Sequence, residues 1–409
     1  MAAVSLQRAK AAPLEITLFG SSPSECPRFP RIIEPYVQNA RTLRAGLIST
    51  VEQFTAIFPD FPQSMPMLEL ISLELDSDEE EEGNWSIDPF KPGFAHTLKR
   101  LSLTGVPLYP SLAGIRTLTE LTIYRPEGDI RLDTLLDFLE GNSSLERVDL
   151  SIEFTEPPPR SQIRRVKNQL RHLSIRCDNV IDAQALITAI PLRRGASLDI
   201  VIWDEDVTLI DALPKVSTAH LADPPSPTSF QFMCGLYTAG VRLDGPGGKF
   251  SFSKSERAEE PFPDLHLLPL TNVREFRILN LKTVLGTVPD PLIFHPPLFP
   301  SLEALAIECD PECKPDVRRI LSSLLSNPTS SPLLKTVAFL NCELSEEFME
   351  EITNFASERK KTLTSTWLYR VLIVHEDGKF PSAASIHKLK DYVGVVEVRM
   401  GNELPEDLT

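Results

Sequence analysis

Apolar residues stand at the first, fourth and sixth places of Leu98-Lys-Arg-Leu-Ser-Leu103, with polar residues between them. The same spacing returns at Leu118–Ile123, Leu145–Leu150, Leu170–Ile175, Leu302–Ile307 and Leu334–Phe339. Alternation with a period of two over the second half of each segment predicts a short strand that buries one face. The intervening stretches read as helix where they are legible. Leu132 to Leu139 places apolar residues at helical spacing, and Gly141 just after it is a C-cap signal. Ile181 to Ile190 does the same, with Asp178 or Asn179 available as N-cap.

Strand, turn, helix and return to the next strand, repeated, is the pattern of a leucine-rich repeat. First-leucine places at 43, 68, 98, 118, 145, 170 and 198 are 20 to 30 residues apart. One such unit cannot bury its own leucines, so neighbours stack and share a core. The expected fold is α/β: a right-handed, leucine-rich-repeat-like solenoid, a horseshoe or arc with a parallel sheet on its concave face and helices on its convex face. All 409 residues are expected in that one solenoid. Residues 1–42 form a partial or capping repeat, 43–203 regular repeats and 204–270 irregular repeats with an inserted hairpin. Regular repeats resume over 271–362, and 363–409 form a C-terminal cap.

Smaller expectations fill that frame. Val4–Ala12, Ile33–Ala40, Val51–Phe58 and Asp316–Leu325 read as helical, and Leu14–Leu18 as a strand. Ser345-Glu-Glu-Phe reads as a helix N-terminus with acidic residues in its first turn. Tyr369–Val374 and Val393–Val398 are the last strands, with an Ala383–Tyr392 helix between them. In the irregular region Val216–Leu221 keeps the phase and Val241–Leu243 fits it weakly. Gly245-Pro-Gly-Gly-Lys249 is a turn before the strand Phe250–Phe252. It lacks the leading Gly and trailing Ser or Thr that a phosphate loop needs. The acidic run Asp76–Glu82 reads as a solvated loop.

Within each repeat the first, fourth and sixth side chains point into the core, and the third, fifth and seventh onto the open sheet face. The outward residues include Arg100 and Ser102, Glu120 and Tyr124, Arg147 and Asp149, and His172 and Arg176. Arg and Tyr are favoured where interfaces concentrate their energy, so Tyr124, Arg147, His172 and Arg176 lead this candidate partner-binding set.

Charge narrows what such a face can hold. A formal net charge of −16 argues against phosphate backbones and anionic membranes as partners. Six cysteines in this length are no disulfide framework and point to a reducing compartment, cytosol or nucleus. No secretory signal or long apolar run appears. Cys309-Asp-Pro-Glu-Cys313 lacks the second pair of ligands that zinc requires, and Cys177, Cys309 and Cys342 read as structural thiols. Asp204-Glu-Asp206 reads as a turn. The seven histidines are scattered and no nucleophile elbow or zinc-protease motif occurs, so neither a catalytic centre nor a cofactor or metal is expected.

Several segments in order resemble one family. They include Pro62-Gln-Ser-Met-Pro-Met-Leu68, Phe94-Ala-His-Thr-Leu98, Pro107-Leu-Tyr-Pro-Ser111, Pro191-Leu-Arg-Arg-Gly-Ala196, Leu268–Phe276 and Phe380–Ile386. Together they resemble fungal, basidiomycete-type F-box proteins with leucine-rich-repeat-like C-terminal regions. The resemblance implies a substrate-recognition region of an SCF-type ubiquitin ligase, whose chemistry belongs to other subunits. The family's F-box opens on Leu-Pro ahead of the first repeat and docks a Skp-type adaptor. Only about a dozen residues precede Leu14 here, so the F-box is expected to be missing and adaptor binding maps onto no residue. The alternative is a leucine-rich-repeat scaffold that binds a protein partner with no link to ubiquitin.

Overall fold

The computed structural model describes residues 12–19, 38–48, 65–75, 96–126, 130–154, 163–167, 169–204, 207, 229–234, 238–245, 248–255, 270–281, 299–309, 321, 331–342, 345–363, 367–375 and 381–401. The helices expected at Val4–Ala12, Ile33–Ala40, Val51–Phe58 and Asp316–Leu325 lie wholly or mostly outside these residues. So do the acidic run and Val216–Leu221. The fold is α/β, with many mostly parallel strands and few helices. It divides into two compact units, Met1–Asp199 and Ile200–Thr409.

In the first unit the strands lie in sequence order: β1 (Leu14–Phe19), β2 (Ala40–Ile48), β3 (Leu70–Leu75), β4 (Arg100–Thr104), β5 (Glu120–Tyr124), β6 (Arg147–Ser151), β7 (Leu170–Cys177) and most of β8 (Leu192–Ile202), whose last three residues are counted with the second unit. From β1 to β7 each is parallel to the next. The repeat spacing becomes a stacked core. Leu101, Leu121, Val148 and Leu173 are register partners, as are Leu103, Ile123, Leu150 and Ile175, and all are buried. Each such side chain contributes about 1.5–3 kcal/mol by leaving water. The first residue of the spacing, two places before the strand, is buried too: Leu68, Leu98, Leu118 and Leu145. A tight turn positions it, with the N–H of Leu68 and of Leu145 donating to the carbonyl three residues back.

Helix α1 (Leu132–Gly141) buries Leu132, Leu135, Leu136, Phe138 and Leu139. Helix α2 (Val180–Ala189) is capped by Asn179, whose side chain accepts from the Asp182 N–H at 2.9 Å. Asn142 closes α1 from within the core. Its Nδ2 donates to the Phe138 carbonyl at 3.0 Å, and its Oδ1 accepts from the Leu118 N–H at 3.4 Å.

Two phases differ from the expectation. Leu43 pairs with Ile71, so it fills the fourth place and Ala40, fully buried, fills the first. Leu198 lies well inside β8, and its neighbour Asp199 accepts from Ser174 of β7. Leu198 therefore stands level with a fourth place.

The second unit opens with an antiparallel trio. Strands β9 (Ser229–Cys234), β10 (Thr238–Gly245) and β11 (Gly248–Ser255) pair as β11-β10-β9. Gly245 pairs with Gly248, whose φ of 131° only glycine adopts without strain. The expected hairpin strand Phe250–Phe252 is present in β11, Pro246 and Gly247 lie outside the described residues, and Val241–Leu243 runs antiparallel and is no repeat strand. Strand β9 is also parallel to β12 (Glu275–Leu281). Parallel order then continues through β13 (Ala304–Cys309), β14 (Thr336–Leu340), β15 (Arg370–His375) and β16 (Val395–Met400).

Register extends the repeat spacing further than the leucines do. Val337, Val371 and Val396 are partners, as are Phe339, Ile373 and Val398. With Leu368 and Val393 buried two places before their strands, the last two strands keep the same phase. Helix α3 (Glu346–Thr362) is capped by Ser345, with Glu346 and Glu347 in its first turn and Arg359, Lys360 and Lys361 in its last. That charge order suits the helix dipole. Helix α4 (Ala383–Lys390) is capped by Ser382.

Candidate functional site

The open face of the first unit is a lattice of side chains set by register. Arg100, Glu120, Arg147 and His172 form one row across β4 to β7. Ser102, Thr122, Asp149 and Ser174 form the next, and Thr104, Tyr124, Ser151 and Arg176 the third. All eight residues expected on this face therefore lie on three adjacent rows. Arg100, Glu120, Arg147 and Arg176 are exposed, while Ser102, Tyr124, Asp149 and His172 are half-buried.

Their contacts divide the face. Asp149 holds two neighbours: Arg147 Nε donates to Oδ2 at 2.9 Å, and His172 Nε2 lies 3.0 Å from Oδ1. The Asp149 hydrogen bond is the main reason the Arg147 guanidinium binds its proton more tightly than usual. Arg125 stacks over the Tyr124 ring, its guanidinium carbon 5.6 Å from the centroid. Arg147, Asp149, His172 and Tyr124 are thus already engaged, whereas Arg100 has no ion-pair or hydrogen-bond partner among the described residues.

Toward β1 the face opens into a cavity of about 420 Å³. Arg44, Ser72, Arg100 and Ser102 line it together with Glu74, Glu120 and Leu70. Arg44 was not legible as a site residue, whereas Ser72 holds the fifth place of the segment from Leu68. Reading Leu43 as a first place turns Arg44 away from the open face, while the register places it in the fifth, outward position, beside Ser72.

A second row, along the strand lead-ins, is paired rather than open. Arg41 and Lys99 flank Glu69 at 2.8 and 3.6 Å, and Arg171 lies 3.5 Å from Glu146. In the second unit Arg274 and Lys335 flank Glu303 in the same way. The open-side arginines of that unit are paired as well: Arg242 with Asp244, Arg277 with Glu275, and Arg370 and Arg399 with Glu397.

The second unit offers a different face along β13 to β15. There the outward Ala304, Ala306, Ala338, Leu340, Leu372 and Val374 are buried in one apolar cluster, with the outward Thr336 and Arg370 at the strand starts beside it. This part of the sheet is covered on both sides and presents no lattice to a partner.

The remaining chemistry is sparse. Cys177 is a buried free thiol, pushed up to about 12 chiefly by burial, and so is unreactive at neutral pH. Cys342 is buried and disulfide-bonded, which departs from the expectation of free thiols. The Cys309 side chain and Cys313 lie outside the described residues. No group of three or more His, Cys, Asp or Glu among the described residues is arranged to hold a metal. No described helix is long and apolar enough to cross a membrane. No protein-family model matches the chain, and no curated protein matches it.

Proposed function

We propose that this chain is a protein-binding module that reads a partner through the open face of its first unit. Each unit coils as a right-handed, leucine-rich-repeat-like solenoid with its helices on the convex side. The observation that carries the reading is the polar lattice of β4 to β7. It spans three register rows of exposed and half-buried Arg, Glu, Asp, Tyr and His over a fully buried leucine core. Parallel strands in sequence order support the coil, because crossovers between parallel strands are right-handed in nearly all proteins. A rigid sheet carrying varied side chains suits recognition of a folded or extended polypeptide. A net charge of −16 disfavours nucleic acid or an anionic membrane in that role. The module acts by binding, without a catalytic centre, cofactor or metal of its own.

In keeping with the family resemblance, the partner is a target for ubiquitin transfer, and the chain corresponds to the recognition region of an SCF-type ligase subunit. A Skp-type adaptor joins only through an F-box supplied upstream. Pull-down of a Skp-type adaptor by this chain and by an upstream-extended version tests the ligase link. Capture by the extended version alone is the expected result. If neither version captures adaptor, the scaffold reading without ubiquitin replaces it. The face itself is tested by placing a photo-crosslinking residue at Tyr124 or Arg176. A specific crosslinked protein, weakened about tenfold or more by Arg147→Ala, is expected, and no crosslink from either position sinks the reading.

A further inference from the structure

Arg44 and Arg100, like Arg176 of the third row, differ from most arginines of the open faces, and they alone of these three line the cavity. Arg147, Arg242, Arg277, Arg370 and Arg399 each have a carboxylate in salt-bridge contact. Arg44 and Arg100 line the cavity of about 420 Å³ and have no ion-pair or hydrogen-bond partner among the described residues. Glu120 stands directly across the ladder from Arg100, and Glu74 lies one pleat beyond Ser72, yet neither closes a salt bridge to either guanidinium. Two free forks over a floor of hydroxyls, Ser72 and Ser102, make a receptor for carboxylates.

We propose that this cavity binds an extended, acidic segment of a protein partner through two carboxylate side chains, one on Arg44 and one on Arg100. This deepens the binding reading above and rests on it. The register sets the spacing of the two acids. Arg44 is level with Ser72 and Ser102, while Arg100 sits two residues earlier on β4, two strands away from β2. Strands about 4.8 Å apart and a rise of about 3.3 Å per residue put the two Cα atoms roughly 12 Å apart on the diagonal. Side chains on one face of an extended peptide recur every second residue, so acids at positions i and i+4 are about 13 Å apart. The residue at i+2 then lies over Leu70 and Ser72 and is small or apolar. Carboxylates fit better than phosphates, because Glu74 and Glu120 in the same lining repel a dianion more than a monoanion.

The test titrates the full chain with fluorescein-labelled peptides and reads anisotropy. One peptide carries Glu at positions 1 and 5 with Val at 3, one carries Gln at both places, and one has Glu at 1 and 2. The first is expected to bind and the others to bind at least about tenfold more weakly. Binding should weaken steeply between about 50 and about 300 mM salt. Arg44→Gln and Arg100→Gln should each cost roughly ten- to a hundredfold. Arg41→Gln, which removes a paired lead-in arginine, should cost nothing. Circular dichroism and thermal unfolding establish that the variants keep their fold.

Equal binding of the Glu and Gln peptides overturns the proposal, as does indifference of folded Arg44→Gln and Arg100→Gln to the acidic peptide. Preference for phosphoserine at positions 1 and 5 overturns it in favour of phosphate recognition. A self-association that Arg100→Gln dissolves makes a second copy of the chain the occupant and also overturns it. If crosslinks from Tyr124 persist while the acidic peptide fails, the clasp is wrong and the face reading stands. If the crosslinks fail as well, both fall.

Discussion

Arg125 carries a left-handed backbone, φ 42°, directly after β5, where its N–H donates to the Ser151 carbonyl at 2.9 Å. The same place after β4 and β14 is held by Gly105 and Asn341, φ 65° and 56°. Glycine adopts that region freely and asparagine tolerates it, whereas an arginine there is strained by about 1 kcal/mol or more. Arg125→Gly removes the strain and loses only the stacking on Tyr124, so it should stabilise the chain by about 0.5–1 kcal/mol in urea unfolding. A loss of stability would mean that the stack outweighs the strain. Arg359 makes the opposite case. Its side chain is buried and its Nη2 donates to the Ser331 and Leu334 carbonyls at 3.1 and 3.2 Å, but Nε and Nη1 have no partner. Burial pulls its pKa down to about 10, so the charged form opposes folding at every pH below that value and the penalty lifts only above it. Arg359→Ala should cost about 3 kcal/mol through the cavity and the orphaned carbonyls. Arg359→Met, which refills the volume without a charge, should stay within about 1 kcal/mol of the parent near pH 7. Equal losses for both variants would show that the two hydrogen bonds outweigh the desolvation.

At the scale of the element, how much could be read depended on which residues filled the repeat. Six strand segments were legible because leucine marks the first place and a small or polar residue separates the fourth and sixth. Beside Leu198, three assignments slipped where other residues took those places. Ala40 is too small to announce a core position, so β2 was read three residues out of phase and Arg44 was lost from the site. Leu368 and Val393 begin two more segments of the same spacing, hidden by the β-branched residues that follow. The antiparallel β9–β11 trio carries no phase that a parallel repeat would share, and only its Gly-rich turn and the strand after it, Phe250–Phe252, were visible. The double burial of β13 to β15 is marked in the residues of β14. Thr336-Val-Ala-Phe-Leu340 is almost continuously apolar, as a strand covered on both faces is, whereas Arg100-Leu-Ser-Leu-Thr104 alternates. A lysine tests the contrast. Ala338→Lys places a charge in the apolar cluster beside Ala306 and Leu372 and should cost at least about 3 kcal/mol or prevent folding. Thr122→Lys, at the equivalent fifth place of β5, should cost less than about 1 kcal/mol. Similar small costs at both positions would mean that the outer face of β14 is open.

For the whole molecule, the response to pH sets two opposing effects against each other. The chain has 57 Asp and Glu against 41 Lys and Arg, and its pI is about 5.0. Falling pH therefore first removes the self-repulsion of an anionic chain, which favours the folded state down to about pH 5. Below that the paired carboxylates decide. Glu69, held first by its Arg41 hydrogen bond, and Glu397, held by Arg370 and then Arg399, both lie below the usual carboxylate value of 4.5. Glu346 is lowered by Ser385 and then Ser382. A carboxylate whose pKa is depressed by folding contributes stability that is present above 4.5 and lost as pH falls below it. All three groups are largely in water, so each effect is small and screened by salt, and they show only in sum. The unfolding midpoint in urea should therefore change little or rise slightly between about pH 7 and about pH 5, then fall below about 4.5. The combined Glu69→Gln, Glu397→Gln variant should lose a little stability at pH 7 and show a shallower acid limb, because it has fewer paired carboxylates to protonate. High salt should flatten both arms. A midpoint that keeps rising below pH 4.5, or an acid limb unchanged in the double variant, would assign the acid response to net charge alone and leave the lead-in and β16 ion pairs without a role in stability.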